Sequence, residues 1–421
     1  MRLKRTINKL QESVSEYYQI RIDPLIKLNI GKIIIKYLKS SLNSNKTIMK
    51  IELLLFLSIA VFASCKDSSK KELNTPMNKI HIAMDKNVDS LLLDSKINAV
   101  SIGVYKDGEK YIAHYGELDK GKNNKPTDKT IYEIASVSKT FTGVLVANAV
   151  LEGKLALDDD IREYLKEDFK NFEYNGEPIR VKHLLTHTSR MSKFLPESIN
   201  ELFNDFNEDL PFKVYEIQKD YGKKEFFRDL HSIELDTIPG ERYTYSNVDT
   251  ELMAEILENV YKKSFDTLLK EYFQTNANMQ NTYINLPKDK EQYLANGYGM
   301  TGKLVPHEVV IYGADGGVKT TMPDLVNYMQ LHLDSNNNVI SESHRNLLEN
   351  GNREIGYYFP IRNNEEYGTY YSMHGGGFGS QNWFFLLPKY NLGISVITNQ
   401  SDLDTADKLL KVVKGLIKDL K

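Results

Sequence analysis

Cysteine is almost missing from this chain of 421 residues. Cys65 is the single one, so no intrachain disulfide can form and a packed core must carry the fold. An excess of either charge is missing as well. With 54 Lys and Arg against 57 Asp and Glu, the formal net charge is −3, which offers no global attraction to nucleic acid. No nucleic-acid partner is expected. There are no heptads, no internal repeat and no phosphate-binding glycine-rich loop, which excludes coiled coils, solenoids and nucleotide enzymes of that kind. What is present, at 41% hydrophobic and 26% charged residues, suffices for one large domain or two interleaved subdomains.

One local charge bias stands out: the N-terminal segment up to Lys50 is rich in Lys and Arg and poor in acids. Met49-Lys50 then leads into "IELLLFLSIAVFASC". This apolar run is too short to span a bilayer as a helix but has the length of a signal-peptide core. Small residues before Cys65, followed by the polar "KDSSKKELN", resemble a bacterial lipoprotein signal, in which the cysteine is lipidated and becomes the first mature residue. The resemblance implies a bacterial cell-envelope location, with a membrane as partner through a lipid anchor on Cys65. The expected organisation is a non-native extension over 1–48, a signal peptide over 49–65, a linker over 66–78 and a folded domain over 79–421. Translation from Met49 explains the extension; the alternative is a basic cytoplasmic segment ahead of a signal anchor.

Within the folded region, Ile80, Met84, Val88, Leu91 and Leu92 recur at helical spacing and predict a helix. "AVSIGVYKDGEKYIAHYGELD" alternates and turns at Asp107-Gly108, a hairpin. The middle, about 136–345, reads as mainly helical, with loops around 186–240 and 285–320. Strand patterns return from about 354, and an amphipathic helix over 402–420 ends the chain. Strands from both ends with helices between predict an α+β fold: an antiparallel sheet flanked by N- and C-terminal helices, with a mainly helical region inserted.

Three short stretches carry polar residues in chemically useful patterns. "IYEIASVSKTFTG" sets Ser136 and Lys139 three apart on one face of a helix's first turn. A lysine held there can act as the serine's proton acceptor. "PGERYTYSN" puts Tyr245 and Asn247 on a loop just ahead of a helix, where side chains can face a cleft. "SMHGGGFGS" ends an alternating strand in His374, Gly375, Gly376 and Gly377. Glycines in a strand suit a place where another group must approach the backbone. His183 and His187, four apart, have two-histidine metal spacing but no third ligand nearby. No metal or other cofactor is expected.

In order and spacing, these stretches resemble the serine β-lactamase and penicillin-binding-protein family, in particular the class C β-lactamase and D-alanyl-D-alanine carboxypeptidase-like hydrolases. "VKHLLTHTSRM" and "GADGGVKTTMPDLVNYM" agree with it, and the resemblance covers roughly 80–410. It implies that Ser136 is an acylated nucleophile, Lys139 its proton acceptor and Tyr245 the group that protonates the leaving group. Asn247 would hold a substrate amide, and His374 would replace the lysine of the usual K-T-G. The N–H groups of Ser136 and Gly377 would form an oxyanion hole. Implied substrates are small esters, β-lactams or cell-wall D-Ala peptides; a ligand-binding or sensor protein that acylates slowly or not at all is the alternative. Arg190 stands where relatives have glycine, which predicts a differently shaped loop.

Overall fold

The computed structural model describes residues 76–350 and 353–421. The expected extension, the signal segment with Cys65 and most of the linker therefore lie outside the described residues. The first helix, Pro76–Leu92, begins inside the expected linker.

Eight strands build one antiparallel sheet: β1 (Ala99–Lys106), β2 (Glu109–Gly116), β3 (Leu348–Asn350), β4 (Arg353–Ile355), β5 (Pro360–Asn364), β6 (Gly368–Gly376), β7 (Gln381–Leu387) and β8 (Leu392–Thr398). Their order is β2-β1-β8-β7-β6-β5-β4-β3. Asp107 and Gly108 make the β1–β2 turn with φ of 52° and 95°, the positive values a two-residue hairpin requires. β1 pairs with β8 in the register Val100↔Thr398, so the first and last strands of the sheet in chain order lie side by side, next to the β2 edge.

Alternation along the strands gives the sheet two apolar faces. One packs on the first helix and the last, Thr405–Leu420, through residues such as Val88, Ile102, Val104, Ile394, Val413 and Leu416. The other covers the inserted helices, among them Ser138–Leu151 and Val248–Tyr261. Helix Ser138–Leu151 is buried nearly all round, as its apolar run demands. The stretch expected as a loop over 186–240 instead carries three short helices, Ser198–Leu202, Leu210–Gln218 and Lys223–Leu230. Leu210, Val214, Phe226 and Leu230 bury their side chains there. Their apolar spacing was interrupted too often by charge to read as helix.

Candidate active site

Ser136 sits in a 3₁₀ turn, Ala135–Val137, that runs straight into helix Ser138–Leu151. The residue before it, Ala135, has φ 44°, a left-handed conformation that disfavours a side chain and costs on the order of 1–3 kcal/mol. Surrounding bonds hold the turn in place. Ile134 N–H donates to Val318 O (3.1 Å), and Val318 N–H donates to Ser138 Oγ (3.0 Å). The Asn382 amide donates both to Ile134 O (2.9 Å) and to Gly375 O (3.2 Å), tying the turn to the sheet.

Four predicted residues converge here. Tyr245 OH donates to Ser136 Oγ at 2.8 Å. Lys139 Nζ, fully buried, donates to Asn247 Oδ1 (2.7 Å), to Asp315 O (2.5 Å) and, more loosely, to Ser136 Oγ (3.4 Å). The nitrogen also lies 5.0 Å from the centre of the Tyr245 ring. Asn247 thus serves Lys139 through its side-chain oxygen, a role the sequence did not suggest, and the Asp315 carbonyl was not anticipated at all.

The loop that presents Tyr245 is fixed by the preceding histidine segment. Gly240 N–H donates to Thr188 O and Thr244 N–H to His187 O, both at 2.8 Å. The His187 ring lies 4.7 Å from the Tyr245 ring and its Nδ1 is 3.2 Å from Asp249 Oδ2. Burial, helped by the Lys139 charge, holds His187 far below its ordinary pKa, while burial drives the Asp249 carboxyl well above its own. Both shifts favour the uncharged forms of the two groups. Ser189 Oγ donates to the other Asp249 oxygen. His183 goes elsewhere: its Nδ1 accepts from Arg180 N–H (3.1 Å). The two histidines do not converge on a common point, and no metal-holding group occurs among the described residues.

Arg190 takes φ 74°, so the loop keeps a backbone that glycine favours rather than adopting a new one. Its guanidinium is anchored on Asp236 (2.7 and 2.8 Å) and on Thr244 Oγ1.

In the third stretch His374 lines a second, open groove together with Ser136, Tyr245, Gly376 and Trp383. Met373 joins the core on the helical side of the sheet. His374 turns to the side of the terminal helices, its ring 4.8 Å from Trp383 and its Nε2 2.7 Å from Gln381 Oε1. Among the described residues it makes no bond to Ser136 or Tyr245. Burial holds its pKa below the ordinary value, so it is neutral at neutral pH. Gly377 is corrected: its N–H donates back across the hairpin to Ser380 O at 2.9 Å. Successive N–H groups in a strand point to opposite sides, so the one leaving the free edge of β6 toward Ser136 belongs to Gly376. Gly375 is where the strand meets the nucleophile turn: a Cβ there would lie 2.2 Å from Ile134 O. Ser136, Tyr245, Asn247, Gly376 and Gly377 all line a cavity of about 290 Å³.

A sequence profile of the Beta-lactamase family matches residues 84–415. A β-lactamase of Providencia stuartii is 27% identical over 256 residues, 60% of this chain and 60% of that protein. Protein flp of Staphylococcus aureus strain N315 is 28% identical over 329 residues, 75% of this chain and 62% of that one. The chain thus spans about 60% of the length of these relatives. Among solved structures, a class C β-lactamase superposes with TM-score 0.70 at 20% identity, covering 83% of this chain and 98% of that one. A β-lactamase/D-alanine carboxypeptidase from Pseudomonas syringae gives 0.68 at 18% identity, with 81% and 99% covered. These two likenesses establish the fold. With the profile spanning most of the folded region and the serine, lysine and tyrosine brought together at its centre, the chain belongs to the Beta-lactamase family of serine hydrolases.

Proposed function

We propose that the protein hydrolyses carboxylic esters or amides through an acyl-enzyme on Ser136. The observation that carries this reading is the 2.8 Å bond from Tyr245 OH to Ser136 Oγ beside the buried Lys139. Ser136 Oγ attacks the acyl carbon while its proton passes to Tyr245 Oη and the tyrosine's own proton passes to Lys139, acting as the free amine. The carbonyl oxygen gathers negative charge next to the Ser136 and Gly376 N–H groups. When the tetrahedral species collapses, the bond to the leaving group breaks and Tyr245 returns the proton to it. A water then adds to the ester carbon along the same proton route, releasing the acid and regenerating the serine.

D-Ala peptides and β-lactams, the substrates named for relatives, both carry a carboxylate. The cation that a K-T-G motif would offer it is absent here, because His374 lines the groove beside Ser136 as a neutral imidazole. That favours esters and amides without the carboxylate. Turnover of p-nitrophenyl butyrate and labelling by a fluorophosphonate test the reading; both should vanish in Ser136→Ala. Labelling mapped to another residue would overturn it, and a burst that stops at one equivalent would support the slowly acylating sensor.

An envelope location through lipid on Cys65 is part of the proposal and rests on "VFASCKDSSKK" alone. Detergent partitioning that Cys65→Ser abolishes would support it. A mature protein retaining residues 1–64 would refute it.

A further inference from the structure

Glu308 lines the same cavity as Ser136 and Tyr245, on the wall formed by 308–311 and Gly316. Its carboxylate leans against glycines that flank the nucleophile. A Cβ on Gly377 would lie 2.8 Å from its Oε1, and one on Gly316 would lie 3.3 Å from its Oε2. Both glycines therefore leave room for this acid beside the acyl position. Yet Glu308 has neither hydrogen bond nor ion pair among the described residues. Glu133, whose charge acts on it, has Oε2 3.1 Å from His307 Nδ1, while its Oε1 is buried without a hydrogen-bond partner, 4.0 Å from Lys319 Nζ. Enclosure, and repulsion from Glu133 and Asp315, push the Glu308 carboxyl above the usual range, with Lys319 and Lys139 opposing only in part.

A carboxyl that faces the cavity beside two other acids favours a cation as its partner. Lys139 cannot supply that cation, being engaged with three acceptors. Lys193 stands over the rings of Phe194 and Phe203, at 5.2 and 5.1 Å, rather than on Glu308. The remaining cavity wall contains Phe203, Phe206, Val214 and Phe378, which suits a small apolar group.

We infer that Glu308 binds the protonated amine of the substrate's acyl group, so that the preferred substrates are aminoacyl esters or amides with a free ammonium. This rests on the acyl-enzyme reading above and names its substrate class. The acyl carbonyl is held between the Ser136 and Gly376 N–H groups, the ammonium faces Glu308, and the side chain enters the aromatic wall.

The test compares four p-nitroanilides, D-alanyl, L-alanyl, propionyl and succinyl, in wild type and in Glu308→Gln, with p-nitrophenyl butyrate as a neutral control. Wild type should favour an alanyl substrate over propionyl by about tenfold or more in kcat/KM, the scale of one charge-assisted contact. In Glu308→Gln that ratio should fall toward one, mainly through KM. A wild-type preference for propionyl or succinyl, or a ratio unchanged in the variant, would overturn the inference. If butyrate is turned over in a Ser136-dependent way while the alanyl preference is missing, the inference alone fails. If no Ser136-dependent turnover or labelling occurs, the underlying reading fails with it.

Discussion

Lys139, fully buried, and Glu308, partly exposed in the cavity wall, both belong to the surroundings of Ser136, and their partners could hardly differ more. Lys139 is enclosed completely and has three hydrogen-bond partners. Glu308, against the same glycines that border the nucleophile, has none. A group needed in every turnover is held ready before substrate arrives, because reorganising it during the reaction would raise the barrier. A group that recognises substrate keeps its bonding capacity open until the ligand supplies the partner. Full satisfaction marks the reaction centre, and an unmet demand marks the specificity site.

The largest effect that would break this contrast comes from the lysine. Lys139→Ala should lower kcat/KM for p-nitrophenyl butyrate by roughly 10²- to 10⁴-fold, as for an acid–base group. Steady-state kinetics on the folded variant check this, and a loss under about tenfold would return Lys139 to the role of a packing residue.

Next comes a buried group whose pKa moves opposite to that of Glu308. Burial, with Lys182 and Arg180 adding to it, lowers His183 to about 4. The unfolded chain, at the ordinary value near 6.5, therefore takes up a proton that the folded one refuses. The stability due to neutral His183 is present above about pH 6.5 and is lost as pH falls toward 4. Thermal melts over that range should show a decline of several degrees, and His183→Gln should flatten it. A pH-independent melting temperature in wild type would show that His183 is accessible to protons in the native state.

A smaller change sharpens the substrate side. His374→Lys places an ammonium in the groove that His374 lines with Ser136 and Tyr245. Turnover of succinyl over alanyl p-nitroanilide should rise by about tenfold relative to wild type. An unchanged ratio would mean that residue 374 does not reach the acyl group.

Smallest is Arg190→Gly. Glycine relieves the left-handed φ, while the anchors on Asp236 and Thr244 are lost, so the melting temperature should move by a few degrees at most. A collapse of activity would make the Arg190–Asp236 pair, and not the backbone, the support of the Tyr245 loop.

Much of this was legible because it is local. The hairpin turn at Asp107-Gly108, the serine and lysine one turn apart, and Tyr245 and Asn247 ahead of a helix all follow from short-range spacing. The convergence of those residues came from family resemblance, since nothing in either segment specifies the distance between them. The third stretch was legible only in part. In "SMHGGGFGS" a register shifted by one exchanges which N–H leaves the free edge, and three successive glycines give no side chain to fix it. The same slip moved the edge N–H from Gly377 to Gly376. Glu308 was illegible because "VPHEVVIYG" has no periodicity, and only the path of the folded chain brings it to the pocket.

The pairing of β1 with β8 also bears on how the molecule is made. Val100 meets Thr398 across nearly the whole length of the chain, and contacts of such sequence separation form late. During synthesis Ser136 and Lys139 emerge early, but β6 and β7, which deliver the Gly376 N–H and the Asn382 bridge, wait for residues 368–387. They in turn need β8 before the sheet is continuous with β1. A nascent or truncated chain ending before Leu392 therefore carries its nucleophile without a working site, and hydrolysis begins only once the last strand has been translated and docked.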